Sequence, residues 1–172
     1  MINIHCLYTG IISWIISIYT FSIKTIDGTS INLNQYKGKK ILLVNIATNS
    51  PHAAKQLPEL EEFYQQHKDS IIVIAFPSNS FNNEPLTNSE LSSVLQNTYH
   101  ISFPVVEKTT VTGNDAHSIY KWLQSAADNG VTNAVLKDDF QKFLINSNGE
   151  LTGLFVSTTS VLGDKVQRAI KY

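Results

Sequence analysis

The sequence predicts an α/β domain in which a mixed central sheet is flanked by helices and preceded by an N-terminal β-hairpin. Three observations carry that expectation. Ile41-Leu42-Leu43-Val44-Asn45-Ile46-Ala47 and Ile71-Ile72-Val73-Ile74-Ala75-Phe76-Pro77 are short, nearly continuous apolar runs, the pattern of strands buried on both faces of a sheet. Between them Leu57, Leu60, Phe63, Tyr64 and His67 recur at helical spacing, which makes a βαβ unit. Farther on, residues 140–146 and 151–155 flank Asn148-Gly149, a turn dipeptide suited to antiparallel strands, so the sheet is mixed. With 172 residues and no repeat, linker or second apolar core, the chain is a single domain with a short extension.

The elements follow in order. Residues 21–26 and 30–33 flank Asp27-Gly28-Thr29 and form the leading hairpin. Polar Gln35-Tyr36-Lys37-Gly38-Lys39-Lys40 leads into the first buried strand. Thr48-Asn49-Ser50-Pro51 is a turn, with Pro51 expected in the first turn of a helix running to Lys68. Pro58 is expected to kink or restart that helix. After the second buried strand and the polar loop 78–86, Thr87-Asn88-Ser89-Glu90 has the spacing of a capping box and opens a helix to about Asn97. Phe103-Pro104-Val105-Val106 is a short strand or extended edge. One helix then carries Ile119, Tyr120, Trp122 and Leu123 and ends near Asn129-Gly130, and a last helix covers 163–171. The crossover rule makes two parallel connections right-handed.

Composition narrows the function classes. Thirteen basic against 14 acidic side chains leave a net charge of −1, without the basic balance of a general nucleic-acid binder. A single cysteine, Cys6, excludes an intramolecular disulfide, a CxxC redox pair and any multi-thiolate metal site. Residues 1–16 form an apolar extension ahead of the domain at 17–172. The run Ile11-Ile12-Ser13-Trp14-Ile15-Ile16-Ser17-Ile18-Tyr19 has the length of a signal-peptide apolar region. It lacks a basic n-region and a small-residue cleavage site, and it falls short of the roughly 20 residues of a membrane span. It reads either as a signal or anchor or as an extra strand or hairpin arm, since Ile, Trp and Tyr favour strands. Membrane association would run only through this segment, and the missing n-region favours a cytoplasmic location over export.

Four segments, in order and correctly spaced, give the chain a resemblance to the glutathione peroxidase family. Leu43-Val44-Asn45-Ile46-Ala47-Thr48-Asn49-Ser50 resembles the strand and turn that present that family's catalytic cysteine or selenocysteine. Phe76-Pro77-Ser78-Asn79-Ser80-Phe81-Asn82-Asn83-Glu84-Pro85 resembles its FPCNQFGxQEP loop, one residue shorter. Phe103 to Lys108 and Val111 to Leu123 match the stretch that follows. Phe140-Gln141-Lys142-Phe143-Leu144-Ile145-Asn146 with Gly149 resembles the segment after its WNF motif. The resemblance covers the chain from about Ser17 and implies a thioredoxin-like fold. Ser50-Pro51-His52-Ala53, with Pro58 eight residues after Ser50, also resembles the CxxC slot of thioredoxins with neither thiol present.

What the resemblance implies about chemistry is a loss. The peroxide-reducing cysteine or selenocysteine aligns with Ser50, the loop glutamine with Ser80, and the tryptophan and asparagine of WNF with Asp138 and Asp139. The loop cysteine aligns with Ser78, and no resolving cysteine stands between Val94 and Phe103. The expectation is a glutathione-peroxidase-like protein of inactive site, with no cofactor and no metal, acting by binding a protein, peptide or small ligand at the former active-site face. The alternative is altered chemistry, metal-assisted or acid–base hydrolysis at Asp138 and Asp139, with His52 and Glu84 as further ligand candidates. A Ser50–His52–Asp hydrolase triad is set against Ser50 and His52 being solvated, uncoupled turn residues, the favoured reading, because positions two apart at a helix start point in different directions. Asp138 and Asp139 are then a charged loop lip. His117 packs or caps, His67 and His100 are surface or helix-end residues, Glu61-Glu62 is a solvated helix face, and Tyr120 and Trp122 are core.

Overall fold

The computed structural model describes residues 15–171. Cys6 and residues 11–14 of the N-terminal apolar run lie outside the described residues, and with them the signal, anchor or extra-strand reading of 1–16. The described chain enters at Ile15 and Ile16, where Ile16 N–H donates to the Asp128 carbonyl (2.8 Å) and the Trp122 indole donates to the Ile16 carbonyl (2.7 Å). Among the described residues no helix is long and apolar enough to cross a membrane.

The leading hairpin pairs β1 (Ser22–Lys24) with β2 (Ser30–Asn32), Ile23 opposite Ile31. Its turn is fixed by Asp27, whose carboxylate accepts from the Thr25 hydroxyl (2.5 Å) and the Thr29 amide (3.0 Å), and by Gly28 at φ +88°, a left-handed position that glycine fills without strain. The main sheet has the order β4-β3-β5-β6, with β3 (Lys40–Ile46) parallel to β4 (Ile71–Pro77) and antiparallel to β5 (Lys142–Ile145), which pairs antiparallel with β6 (Leu151–Phe155). Alternate residues of β3 serve two cores, as the period of two in a strand requires. Ile41 and Leu43 pack with Phe76, Tyr120, Trp122 and Phe143 on one face; Leu42, Val44 and Ile46 pack with Leu57, Leu60, Phe63 and Val166 on the other. That double burial is why the strand reads as a continuous apolar run.

The helices are α1 (Ala53–His67), α2 (Asn88–Asn97), α3 (Ser118–Leu123), α4 (Ala126–Asn129) and α5 (Asp164–Ala169). The Thr87–Glu90 capping box forms with both of its reciprocal bonds. His117 caps α3, its Nδ1 accepting from the Ile119 amide at 3.2 Å, and its burial lowers the pKa, which favours the neutral ring that this bond needs. Tyr120 and Trp122 are buried in the core, His67 ends α1, and His100 is exposed.

Five expectations need correction. Pro51 stands before α1, whose cap is His52 and whose first residue is Ala53. Pro58 does not restart α1, which runs unbroken from Ala53 to His67. It is exposed, as is Ala54, whose carbonyl it leaves without its helical donor. The single helix through Asn129 is two helices, because Ser125 is extended (φ −125°, ψ 104°) and the Asn129 amide group donates to the Trp122 (2.8 Å) and Leu123 (3.2 Å) carbonyls at the break. Among the described residues only the β3–α1–β4 connection is a full parallel pairing; the second shrinks to a bridge between Ala75 and Val105. Glu62 is exposed, but Glu61 is a tether, its carboxylate accepting from the Ser102 amide (2.8 Å) and hydroxyl (2.6 Å).

Candidate functional site

The carboxyl ends of β3 and β4 lie side by side, and antiparallel β5 starts at the same end. Three connections therefore converge there, 47–52, 78–86 and 137–141, at the edge where α/β sheets build their sites. The first two are stitched together by Glu84. Its fully buried carboxylate accepts from the Thr48 amide (2.6 Å), the Thr48 hydroxyl (2.9 Å) and the Leu86 amide (3.3 Å), while Asn49 N–H donates to the Asn83 carbonyl (3.1 Å).

Ser50 sits on this platform at the approach to α1. It is 6% exposed, its amide donates to the Ala47 carbonyl (3.2 Å), and its hydroxyl oxygen accepts from the His52 backbone amide (3.4 Å). The His52 ring turns the other way, with Nε2 3.2 Å from an Asp138 carboxylate oxygen and its edge against Phe140. Ser50 is buried, and the partly exposed His52 ring is paired with Asp138, which corrects the expectation of two solvated turn residues. They still form no triad, because the Ser50 hydroxyl meets the His52 backbone amide and shares no hydrogen bond with the His52 ring.

The turn before β5 differs from a charged lip. Asp138 fits that description in part, since its side chain is 40% exposed; its other carboxylate oxygen accepts from the Asp139 amide (2.8 Å). Asp139 has no exposed surface at all. One of its oxygens accepts from Asn83 Nδ2 (2.7 Å), and the other has no hydrogen-bond partner among the described residues. Burial pushes its pKa up, aided by the Asp138 and Glu84 charges and opposed by the Asn83 bond and by His52. Phe140 follows in the left-handed region at φ +60°, its amide donating to the Asn45 carbonyl (2.6 Å). Buried Asn45 also donates through Nδ2 to the Asp138 carbonyl (3.0 Å), and its Oδ1 is unpartnered.

Ser80 stands apart. Its oxygen accepts from the Ser78 hydroxyl (2.9 Å) and the Val111 amide (3.1 Å), and it lines a shallow cleft with Asn79, Lys108, Thr109 and Thr110. The structure therefore joins the turn of Ser50 and His52 to that of Asp138 and Asp139 through the His52–Asp138 contact, while Ser80 bonds to Ser78 and Val111. Among the described residues no three His, Cys, Asp or Glu side chains converge as metal ligands. Sequence reasoning missed Asn45 and Asn83. A polar residue inside the apolar run 41–47 was a signal for the first; the second gave none.

Known proteins share this fold. The family model for glutathione peroxidase matches residues 18–124. Glutathione peroxidase-like peroxiredoxin 2 of Saccharomyces cerevisiae is 34% identical over 155 residues, 88% of this chain and 95% of that protein. The crystal structure of Trgpx in apo form superposes with a TM-score of 0.68 at 32% identity, covering 91% of this chain and 96% of the other. A thioredoxin family thiol:disulfide interchange protein from Chlorobium tepidum TLS, 18% identical over 92% of this chain and 95% of its own, shares the fold with a TM-score of 0.65. A thioredoxin-like sheet, a site at its carboxyl edge and relatives at this level of identity lead to one statement: the chain belongs to the glutathione peroxidase family.

Proposed function

We propose that this family member reduces no hydroperoxide and acts by binding a protein, peptide or small ligand at the face around Ser50, Ser80, Asp138 and Asp139. The observation that carries the reading is the Ser50 hydroxyl, buried, bonded to a backbone amide, and standing where the resemblance aligns the peroxide-reducing cysteine. Attack on an O–O bond needs a nucleophile that ionises near neutral pH and then holds oxygen in a reducible form. A thiolate meets both demands through its lowered pKa and its sulfenic acid, which a second thiol recycles. A serine hydroxyl without a paired base meets neither. Acceptors at 138 and 139 add to the argument, since carboxylates oppose an anionic nucleophile.

One observation favours the second reading, acid–base hydrolysis: the His52–Asp138 pair, 3.2 Å apart and open to solvent on one side. That reading requires a chromogenic ester to be cleaved and the activity to vanish in His52→Ala.

The test of the first reading is hydroperoxide consumption by the purified protein with thioredoxin or glutathione as reductant, with Ser50→Cys and Cys6→Ala alongside. The reading expects no consumption by wild type and a measurable gain in Ser50→Cys. Turnover by wild type that disappears in Cys6→Ala overturns it.

A further inference from the structure

Lys142 opens β5 immediately beyond the site turn, and its side chain has no exposed surface. Val44 of β3 and Phe155 of β6 flank it in the sheet. Its amine nitrogen donates to Gln56 Oε1 of α1 and to the Ser157 carbonyl (3.2 Å), and Gln56 Nε2 donates to the same carbonyl (2.6 Å). One nitrogen thereby fastens three pieces of chain: β5, the head of α1 and the segment that follows β6. Gln56 lies one turn from His52, its amide donating to the His52 carbonyl (2.9 Å), so the clamp bears on the turn that carries the site.

The count of hydrogens matters. A neutral amine has two N–H groups for these two acceptors; an ammonium has three, leaving one unmatched in a buried place. No carboxylate touches the nitrogen. Among the described residues Glu59, one turn farther along α1, is the ionisable group that acts on it, and Glu59 is itself engaged by the Ser160 hydroxyl (2.7 Å) and by Lys55 (3.9 Å). The flanking residues of β3 and β6 carry no charge, and Ser157 offers only its carbonyl.

We propose that Lys142 is a proton-sensitive clamp that holds the head of α1 against residues 157–160 most firmly when uncharged and lets that segment open more often when it takes up a proton. The inference does not depend on whether the site face is catalytic. Burial lowers the Lys142 pKa to about 7, with Glu59 pulling it partly back. In the open or unfolded chain the same amine stays protonated to about 10.4. Between these limits the open form binds more protons than the closed one, so the closed form gains stability as pH rises from about 7 and the dependence is flat below.

Amide hydrogen exchange across 156–160 in the full chain, corrected for intrinsic rates, reads the clamp directly. In wild type the opening constant should fall by up to about tenfold per pH unit between about pH 7 and 10. In Lys142→Met that slope should vanish. Gln56→Glu supplies a carboxylate, and the onset should move to higher pH. A 15N titration of Lys142 Nζ should have its midpoint near pH 7 in wild type, which keeps the proposal testable even if Lys142→Met does not fold. A midpoint near 10.4, or a slope that persists in Lys142→Met, overturns it.

Discussion

Two buried carboxylates share the site face, and folding treats them differently. Glu84 has no exposed surface and three donors around it, two from Thr48 and one from Leu86. Asp139 is just as buried but has one donor, Asn83, and an oxygen with no partner. A buried charge is tolerable when its lone pairs are met by hydrogen bonds and costly when they are not. Glu84 is therefore a strut that ties the loop after β4 to the turn after β3. Asp139 is held there by its surroundings, in the field of two other carboxylates and next to Phe140 in a left-handed conformation that costs roughly 1–2 kcal/mol. Unmet polar groups and strain gathered at one turn are the mark of a site rather than of a scaffold.

The contrast can be broken most directly at the strut. Glu84→Ala leaves the Thr48 amide and hydroxyl without their acceptor and should cost about 3 kcal/mol in urea unfolding. A loss under about 1 kcal/mol would put Glu84 on the same footing as Asp139. The opposite sign is expected at Asp139→Asn, which keeps the shape and removes the charge. Because the folded-state pKa of Asp139 is raised, the native form holds its proton longer than the unfolded chain, and wild-type stability falls as pH climbs through that interval. Asp139→Asn should thus be more stable than wild type by about 1 kcal/mol at pH 7, the gain fading as the pH drops toward 4. Thermal melts across that range check it, and a gain that grows on acidification would reverse the sign argument. The smallest effect belongs to Asp138→Asn. Its pairing with His52 is partly exposed, so the change should stay within about 0.5 kcal/mol.

The sequence was most legible where one local rule decides the outcome. The apolar runs at 41–47 and 71–77, the capping box at Thr87 and the Asn148-Gly149 turn became β3, β4, the start of α2 and the β5–β6 connection. It was least legible where a distant side chain decides. Nothing near 119–129 announces that the Asn129 amide will capture the end of α3 and split the helix. Two adjacent aspartates look like a loop rim, and Asp139 is buried because Asn83, 56 positions away in the chain, comes to meet it. Asn45 could have been suspected as a polar residue in an apolar strand, whereas the backbone of Phe140 has no signature in its residue type. Of the four positions singled out, Asp138 and Asp139 are adjacent and are tied through His52 to the turn of Ser50, and Ser80 bonds instead toward Val111.

The proposed reading is that the family's scaffold persists without the groups that reduce hydroperoxides. It is tested most directly by restoring all four positions together, Ser50→Cys with Ser80→Gln, Asp138→Trp and Asp139→Asn, and measuring hydroperoxide consumption against Ser50→Cys alone and wild type. The account predicts none for wild type, a trace for the single variant and clear turnover for the fourfold one. A wild type that consumes hydroperoxide as fast as the fourfold variant, or a folded fourfold variant that consumes none, would contradict it.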